Sequence, residues 1–230
     1  MLVGRTIRAD FLGDCAQFRD LPEALNDSQY LIPRLTREQL RRAIEGPVAV
    51  GGATITPRLV NRLLNDVGEN PDQLPILQHA LMRTWDHWED QAIPQAPIDI
   101  EHYEAVGGMA TALSRHADQI YDQLPDDRAR YIAEILFKRL TDRGADNREI
   151  RRPTQLGEIC AVADAELEKV VVVIDAFRAP RRSFLMPPAR VELTETSVID
   201  ISHESLMRNW LKLKDWVEQE DRSATIYRRL

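Results

Sequence analysis

Ile199-Asp200-Ile201-Ser202-His203-Glu204-Ser205-Leu206 is the stretch that decides how the C-terminal half of this chain is built. A short β-branched run ends at His203, and apolar residues then recur at helical spacing through Trp210 and Val217. This pattern predicts a strand-to-helix junction with a histidine beside a helix N-terminus, where backbone N–H groups favour anions. An imidazole placed there can hydrogen-bond a phosphate. A histidine that only caps the helix at a packed junction would give the same pattern.

The composition is that of a globular protein with one or two domains. The chain has 230 residues, of which 43% are hydrophobic and 29% charged. Its net charge of −7 gives no general attraction to nucleic acid or to anionic membranes. No apolar run approaches the roughly 20 residues of a membrane helix. Cys15 and Cys160 form no CxxC pair, so we expect reduced, buried thiols in a cytoplasmic protein.

The spacing of apolar residues predicts a mainly helical chain with few strands. Helices are predicted over 35–44, 56–67, 74–85, 109–124, 128–140, 154–162, 164–177 and 203–230, and strands over 2–9, 184–186 and 190–201. Gly46-Pro47 is predicted to end the first helix, and Thr56-Pro57 to begin the second with Thr56 as its cap. Gln91–Pro97 is predicted to be a linker or an exposed loop.

The last part of the chain predicts a winged-helix arrangement, because three helices over 128–177 precede a hairpin. A helix that reads DNA presents basic or amide side chains to the groove, but the third helix here, Asp164–Asp175, is acidic and apolar. The predicted wing is basic, with Arg178, Arg181, Arg182 and Arg190. DNA binding is therefore disfavoured, and the wing suits contact with a protein or nucleotide, or is simply a solvated loop.

The motifs of a self-contained enzyme are missing from the sequence. It contains no GxxxxGK[ST] phosphate loop, no GxGxxG, no HExxH and no GxSxG. The five histidines are scattered, and His79 and His87 are too far apart along one predicted helix to share a metal without other ligands. Neither a catalytic site nor a metal site is predicted.

Two further residues are candidates for ligand contact. Arg8 ends the predicted strand 2–9, and a guanidinium at the carboxyl end of such a strand can reach the crevice where α/β sheets bind ligands and contact a phosphate there. An ordinary surface pair with Asp10 is the alternative. Pro75, in Leu74-Pro75-Ile76, can present a rigid apolar surface to a base, or simply mark a helix N-terminus.

Five segments together resemble one family. They are TIRADFLGDC (6–15), YLIPRLTREQLRRAIEGP (30–47), DQLPILQHALMRTWD (72–86), YEAVGGMATALSRHADQIY (103–121) and DISHESLMRNWLKLKDWV (200–217). In this order, and covering nearly the whole chain, they resemble the STAND-type (NACHT/AP-ATPase-like) NTPase module of bacterial multidomain proteins, which often carry WD40 repeats downstream. The family is associated with signalling and with conflict or defence systems.

The resemblance implies a nucleotide-held switch. Such modules combine a P-loop domain, a helical lid and a winged helix, which ADP holds closed and ATP opens. Arg8 is then similar to the sensor-1 arginine, Pro75 to the lid proline beside the base, and His203 to the winged-helix histidine that contacts the β-phosphate of ADP. The family's usual triplet is Met-His-Asp, whereas this chain has Ser202-His203-Glu204, which puts the details of the ADP contact in doubt.

The Walker A and Walker B motifs would lie upstream of Arg8. We therefore expect a mainly α chain comprising a remnant of the P-loop α/β core (1–45), a helical lid (46–95), a winged helix (98–202) and a connecting helix (203–230). Alone it should not hydrolyse ATP and should hold no nucleotide tightly, although ADP or ATP with Mg²⁺ would bind the complete module.

The expected partners are the upstream P-loop segment, a downstream sensor domain and a second copy, since a truncated sheet exposes an apolar edge. The alternatives are an interaction or oligomerisation module with no nucleotide role and, after it, a DNA-binding winged helix.

Overall fold

The computed structural model describes residues 13–28, 30, 32–68, 73–91, 96–143 and 149–227. The predicted strand over 2–9 and the candidate Arg8 lie outside these residues. The chain divides into two compact units at Thr36/Arg37. In the first unit, a 3-10 helix over Asp14–Gln17 is followed by helix α1 over Leu21–Ser28.

The larger unit contains most of the secondary structure. Its helices are α2 (Arg37–Val50), α3 (Pro57–Val67), α4 (Leu74–Gln91), α5 (Ile100–Ala105), α6 (Gly108–Asp122), α7 (Asp127–Arg139), α8 (Leu156–Ala163), α9 (Leu167–Arg178), α10 (Ser205–Asn209) and α11 (Leu211–Tyr227). Its strands are β1 (Thr141–Arg143), β2 (Glu149–Arg151), β3 (Thr154–Gln155), β4 (Leu185–Met186) and β5 (Val198–Ile201). The prediction of a mainly helical fold is confirmed. None of the helices in the described ranges combines the length and the apolar character that a bilayer crossing requires.

The strands form two small antiparallel sheets. β1 pairs with β2 as a hairpin, which the sequence analysis did not predict. The other sheet has the order β3-β5-β4, with Thr154 opposite Ile199 and Leu185 opposite Ile201. β5 is therefore the central strand, and the residues that follow it leave from the middle of this sheet.

Two apolar clusters account for the interior of the larger unit. The first cluster is formed by α2–α5 and the start of α6, with the buried residues Leu40, Ile44, Val48, Leu59, Val60, Leu63, Leu64, Val67, Leu77, Ala80, Ile98, Tyr103 and Ala112. The second cluster contains the rest of α6, helices α7–α11 and the three-stranded sheet, with Phe137, Phe177 and Trp210 at its centre. Ile98 and Tyr103 belong to the first cluster although they follow the predicted boundary at 95–98.

Helix α3 begins where its sequence predicts. Thr56 is the N-cap, and its hydroxyl accepts a hydrogen bond from the N–H of Leu59 at 3.3 Å. Pro57 occupies the first turn, where its missing N–H costs nothing. The helix buries one apolar face in the first cluster, which fixes the position of α2 and α4 around it.

The predicted end of the first long helix at Gly46-Pro47 is wrong. α2 continues through Pro47 to Val50, and Val48 is buried in the first cluster. The helix ends instead at Gly51-Gly52, where Gly52 adopts a φ of +76°. Burial of the Val48 side chain thus offsets the backbone hydrogen bond that proline removes.

The predicted helix over 203–230 is also corrected, because it breaks at Trp210. The backbone of Trp210 is extended, with φ −79° and ψ 104°. Its indole is fully buried, and its Nε1–H donates to Asp118 Oδ1 at 2.8 Å. Leu211 is the first residue of α11, so its N–H has no intrahelical acceptor and donates instead to Ser114 Oγ at 3.3 Å. Placement of one aromatic ring in the second cluster therefore overrides helical continuity.

The second predicted strand of the hairpin is shorter than expected. Only Val198–Ile201 of the predicted range 190–201 forms a strand. Before it, the carbonyls of Glu195 and Ser197 accept hydrogen bonds from the N–H groups of Gly157 and Leu156, at the start of α8. The backbone of this segment therefore serves helix α8 in place of a longer sheet ladder. The expectation of two buried thiols holds for Cys15, whereas Cys160 is partly exposed.

Candidate functional site

His203 lies at the junction that the sequence predicts, between β5 and α10. Its imidazole is exposed, and Nδ1 accepts a hydrogen bond from the N–H of Ser205 at 3.0 Å and lies 3.1 Å from Ser205 Oγ. Since Nδ1 is the acceptor, the neutral ring carries its proton on Nε2. α10 has only five residues, so the predicted helix N-terminus is that of a little more than one turn. The imidazole therefore caps this turn and has a donor nitrogen, Nε2, on its far side.

Charged side chains lie on both sides of His203 in the sequence, and Arg151 contacts them. Arg151, at the end of β2, donates to Asp200 Oδ2 at 2.8 Å and to the Ile201 carbonyl at 3.1 Å, and its Nε is 4.0 Å from Glu204 Oε1. Asp200 Oδ1 is buried and has no hydrogen-bond partner within the described residues. Arg151 thus connects the backbone at Ile201, before His203, with the side chain of Glu204, after it. Arg151 was not among the residues predicted from sequence, because an arginine in a short polar stretch carries no signal of a distant partner.

Pro75 is the second residue of α4 and is partly buried. One turn further along the same helix, His79 Nε2 lies 3.2 Å from Nδ1 of His116 on α6. Both imidazoles pack against Phe184, with ring centroids 5.3 and 5.2 Å away. The Phe184 carbonyl in turn accepts a hydrogen bond from Ser202 N at 2.9 Å. This series of contacts connects the helix that carries Pro75 to the strand that carries the candidate histidine.

Burial keeps both of these histidines neutral. Desolvation, with a smaller contribution from Arg83, lowers the pKa of His79 to about 4. The pKa of His116 is lowered to about 3, again mainly by burial and then by Arg83, His79 and Arg182. Two neutral imidazoles can share one hydrogen bond, with one ring as donor and the other as acceptor. From sequence His79 was a candidate only as a metal ligand, although both histidines fall among the apolar residues of their helices.

Beside the histidine pair, an acidic face of α4 meets a basic turn. Arg181 lies 3.3 Å from Asp86 Oδ1 and donates to Glu89 Oε2 at 2.8 Å. Arg182 donates to Gln123 Oε1 on α6 at 2.8 Å. These groups border a polar cavity of about 300 Å³. Arg181 and Arg83 are paired with the Asp86 carboxylate, whereas Arg182 donates to a neutral amide.

The structure corrects the predicted basic wing. Arg181 and Arg182 lie in the turn between α9 and β4, ahead of the hairpin loop. Arg178 is buried, pairs with Asp175 at 2.6 Å, and donates to the carbonyl of Val191 at 2.8 Å. Of the four predicted arginines, Arg190 is therefore the one that lies between β4 and β5. The other three form contacts between helices and the segments next to the hairpin.

Three of the five segments singled out in the sequence converge in this region. Segment 72–86 meets segment 103–121 at the pair His79–His116. Segment 103–121 meets segment 200–217 at Asp118 and Trp210. Among the described residues, no group of three metal-ligating side chains is present.

In a comparison with protein families, residues 1–230 match a family described as novel STAND NTPase 1. No curated protein and no solved structure matches the chain.

Proposed function

The chain belongs to the novel STAND NTPase 1 family, and on that premise we propose that it is the regulatory lid and winged-helix part of an ADP/ATP-dependent switch. The observation that carries this proposal is the contact route from α4, which holds Pro75, through Phe184 to Ser202 and His203. A switch of this kind must connect the element near the base with the element near the phosphates. The switch would act in bacterial signalling or defence, in the cytoplasm, and upstream of a sensor region such as WD40 repeats.

The order of elements from α7 to β5 supports the winged-helix assignment. Helix α7 is followed by the β1–β2 pair, then by β3, helices α8 and α9, and the strands β4 and β5, with β5 between β3 and β4 in the sheet. In this proposal residues 98–202 form the winged helix, 46–95 the helical lid, and 1–45 the remnant of the nucleotide-binding core. The exposed positions of α9 are Glu168, Lys169, Val172 and Asp175, which do not form the basic or amide-rich surface that reads DNA, and this disfavours a DNA-binding role.

His203 would contact the β-phosphate of ADP. The ring fits this task, because Nδ1 is occupied by Ser205 and the proton lies on Nε2, which is the donor a phosphate oxygen requires. Arg151 offsets the negative charge of Asp200 and Glu204 beside the ring. Pro75 would pack near the base, and Arg8 would report on the terminal phosphate.

Phosphoryl transfer would depend on residues outside this chain. The sequence contains no GxxxxGK[ST] motif, and without a phosphate-binding lysine and Mg²⁺ ligands little stabilises the charge that develops during transfer. We therefore propose that a separate P-loop segment supplies them and that these 230 residues do not hydrolyse ATP alone. Bound nucleotide would shift the closed–open equilibrium only as far as its affinities for the two states differ.

Titration with a fluorescent ADP analogue tests this proposal, using the 230-residue chain alone and then together with the upstream coding region. Binding should be weak for the chain alone and strong for the longer protein. In the longer protein, His203→Ala should weaken ADP binding about tenfold, which corresponds to the loss of one phosphate hydrogen bond. ATP binding should change much less.

His87→Ala is the matched control, because His87 is a partly buried histidine of α4 whose ring contacts His102, away from His203. Equal losses of ADP and ATP affinity in the His203 variant, or an ADP affinity like that of the unsubstituted protein, would contradict the assigned role. Failure of the longer protein to bind either nucleotide would reject the switch altogether.

An interaction module without nucleotide is the second candidate, and one observation favours it. In the described residues of the first unit, Phe18, Tyr30, Ile32 and Leu35 are 62%, 84%, 71% and 48% exposed. Exposed apolar side chains at this density are typical of contact surfaces. Sedimentation of the chain without nucleotide would show concentration-dependent association that substitutions such as Ile32→Ser abolish.

A further inference from the structure

We propose that the seam formed by His79, His116 and Phe184 is a proton-sensitive latch, which holds α4 against the start of the β4–β5 hairpin and releases when its imidazoles take up protons. This inference deepens the proposed function and rests on it, since the latch joins the lid helix to the strand that leads to His203. The elements that carry it are two helices and one strand-leading segment of the same compact unit.

The seam lies where the two apolar clusters meet. His79 is on α4, whose buried residues Leu77 and Ala80 belong to the first cluster, whereas Phe184 belongs to the second. His116 is buried on α6, the helix that contributes to both clusters. Opening the module between its two clusters would separate these three rings. Polar contacts at such a plane are easier to exchange for water than the apolar contacts inside either cluster.

Protonation of the seam is unfavourable while it is closed. A first proton places a charge in a mostly buried site that already faces guanidinium groups, and a second brings two N–H donors head to head across 3.2 Å. The charged groups that face the histidines are Arg83, Asp86 and Asp90 on α4, and Arg181 and Arg182 in the turn before β4.

The carboxylates at the seam do not compensate for this cost. Arg181 pairs with Asp86 and Glu89, and Arg83 is 3.7 Å from Asp86 Oδ2. Burial raises the pKa of Asp86 despite these arginines, so this carboxylate is itself less readily charged. An imidazolium at position 79 or 116 therefore faces more guanidinium groups (Arg83, Arg181 and Arg182) than carboxylates (Asp86 and Asp90).

Opening restores ordinary titration to both rings, and this sets the expected size of the effect. In the closed arrangement the pKa values are about 4 for His79 and about 3 for His116, against an ordinary value of 6.5. The open state then gains about tenfold in population for each histidine between pH 7.5 and pH 5.5. Displacement of Phe184 also breaks its hydrogen bond with Ser202 N, so His203 moves when the seam opens.

Distance measurements between spin labels on the nucleotide-free chain test the latch. Labels are placed at Val50→Cys, on α2, and at Val172→Cys, on α9, in a background of Cys15→Ser and Cys160→Ser, because both valines are exposed (91% and 55%). Double electron–electron resonance should show one closed distance at pH 7.5. A longer distance should appear as the pH falls below 6.5.

The double variant H79Q/H116Q should remove this pH response, whereas the matched variant H87Q, on the same helix α4, should retain it. The latch is overturned if the long distance fails to appear by pH 5.0, or if it responds to pH equally in H79Q/H116Q. If that variant does not fold, NMR titration of the unsubstituted chain decides: imidazole resonances of His79 and His116 that titrate near 6.5 without a change elsewhere overturn the latch. The spin-label experiment contains no nucleotide, so it tests the latch independently of ADP binding. A chain that shows the pH response but whose longer form does not bind ADP would reject the nucleotide role and keep the latch.

Discussion

The pocket around Trp210 and the seam around Phe184 both bury clusters of three or more rings, yet they differ in what their polar atoms require. Trp210 packs edge-on against Phe137 at 4.8 Å and against Trp216 at 5.4 Å, and its single N–H is satisfied by Asp118. In the seam, two of the three rings are imidazoles bonded to each other. The first arrangement contains no group of this kind, whereas burial in the second lowers the pKa of both imidazoles and favours their neutral forms.

This difference shows that equal burial does not mean equal permanence. A tryptophan in an apolar pocket contributes through area and contacts that persist at every pH. A buried histidine contributes similar contacts, but its unfolded or opened form gains a proton when the pH falls below its ordinary pKa. Within one compact unit, the protein thus has a constant centre, the Trp210 pocket, whose contacts do not depend on pH near neutrality. It also has a conditional boundary, the seam of His79, His116 and Phe184, whose contacts do.

Trp210→Ala is expected to have the largest effect, because it would empty the constant centre. The loss in the free energy of unfolding should be about 3–5 kcal/mol, since a cavity forms and Asp118 loses its donor. Urea denaturation followed by fluorescence or circular dichroism measures it. Leu211→Ala is the control, since Leu211 is adjacent but 64% exposed, and it should cost less than about 1 kcal/mol. Equal losses in both variants would remove the special status of Trp210.

The pH dependence of unfolding would sharpen the comparison at the boundary. In the unfolded chain both seam histidines protonate near 6.5, whereas in the fold they do so near 4 and 3. Unfolding therefore takes up protons, and the free energy of unfolding should be highest above pH 6.5 and fall as the pH drops from 6.5 towards 4. Urea midpoints at successive pH values measure this fall. It should be shallower in H79Q/H116Q than in H87Q.

Asp99→Asn would test whether the polar contacts of histidine alone change in strength between pH 5 and pH 7.5. Asp99 caps α5, accepts from Thr56 Oγ1 at 2.6 Å and pairs with Arg58, and these bonds hold the pKa of its carboxyl well below the usual range. Its contribution is therefore present above pH 3.8 and is lost only below it. We expect a loss of about 1–2 kcal/mol that is the same at pH 5 and pH 7.5.

Thermal denaturation at these two pH values measures the effect of Asp99→Asn. The control is Asp127→Asn, whose side chain is 99% exposed and pairs only locally with Arg130. A loss for Asp99→Asn that shrinks markedly at pH 5 would show that the distinction between histidine and carboxylate contacts is wrong.

Arg181→Gln should have the smallest effect, because it removes ion pairs at the rim of the seam. Arg181 is 59% exposed, so solvent screens its pairs with Asp86 and Glu89, which contribute little to stability and weaken with salt. The melting temperature of the variant should be slightly below that of the unsubstituted chain at low salt, and the two should converge at high salt. Arg42→Gln, which breaks the exposed pair with Glu38, should show an even smaller difference.

Local chemistry explains which parts of this fold were predictable. The start of α3 at Thr56-Pro57 and the junction at His203 follow from short-range signals, a cap and a change of period. The predicted helix end at Pro47 and the predicted continuous helix through Trp210 were wrong for the same reason. In both cases the outcome depends on what the residue or its neighbour buries, which the adjacent sequence does not encode.

The candidate site was predictable only in part. The position of His203 follows from the pattern around it, but the partners that give it meaning come from distant segments. Arg151, which contacts Asp200 beside the site, comes from a β-hairpin that the spacing of apolar residues did not predict. His116 contacts His79, 37 positions away in the sequence. Pairings between helices depend on tertiary packing, so a single sequence offers no direct signal for them.

The break at Trp210 has a mechanical consequence. Through Asp118 and Ser114, the beginning of α11 is fastened to α6 by two hydrogen bonds. A pull applied along α11 would therefore load α6 first, and the strand before His203 would feel it only after the indole had left its pocket. Tension from any polypeptide attached beyond α11 is thus diverted away from the imidazole until a threshold force is exceeded.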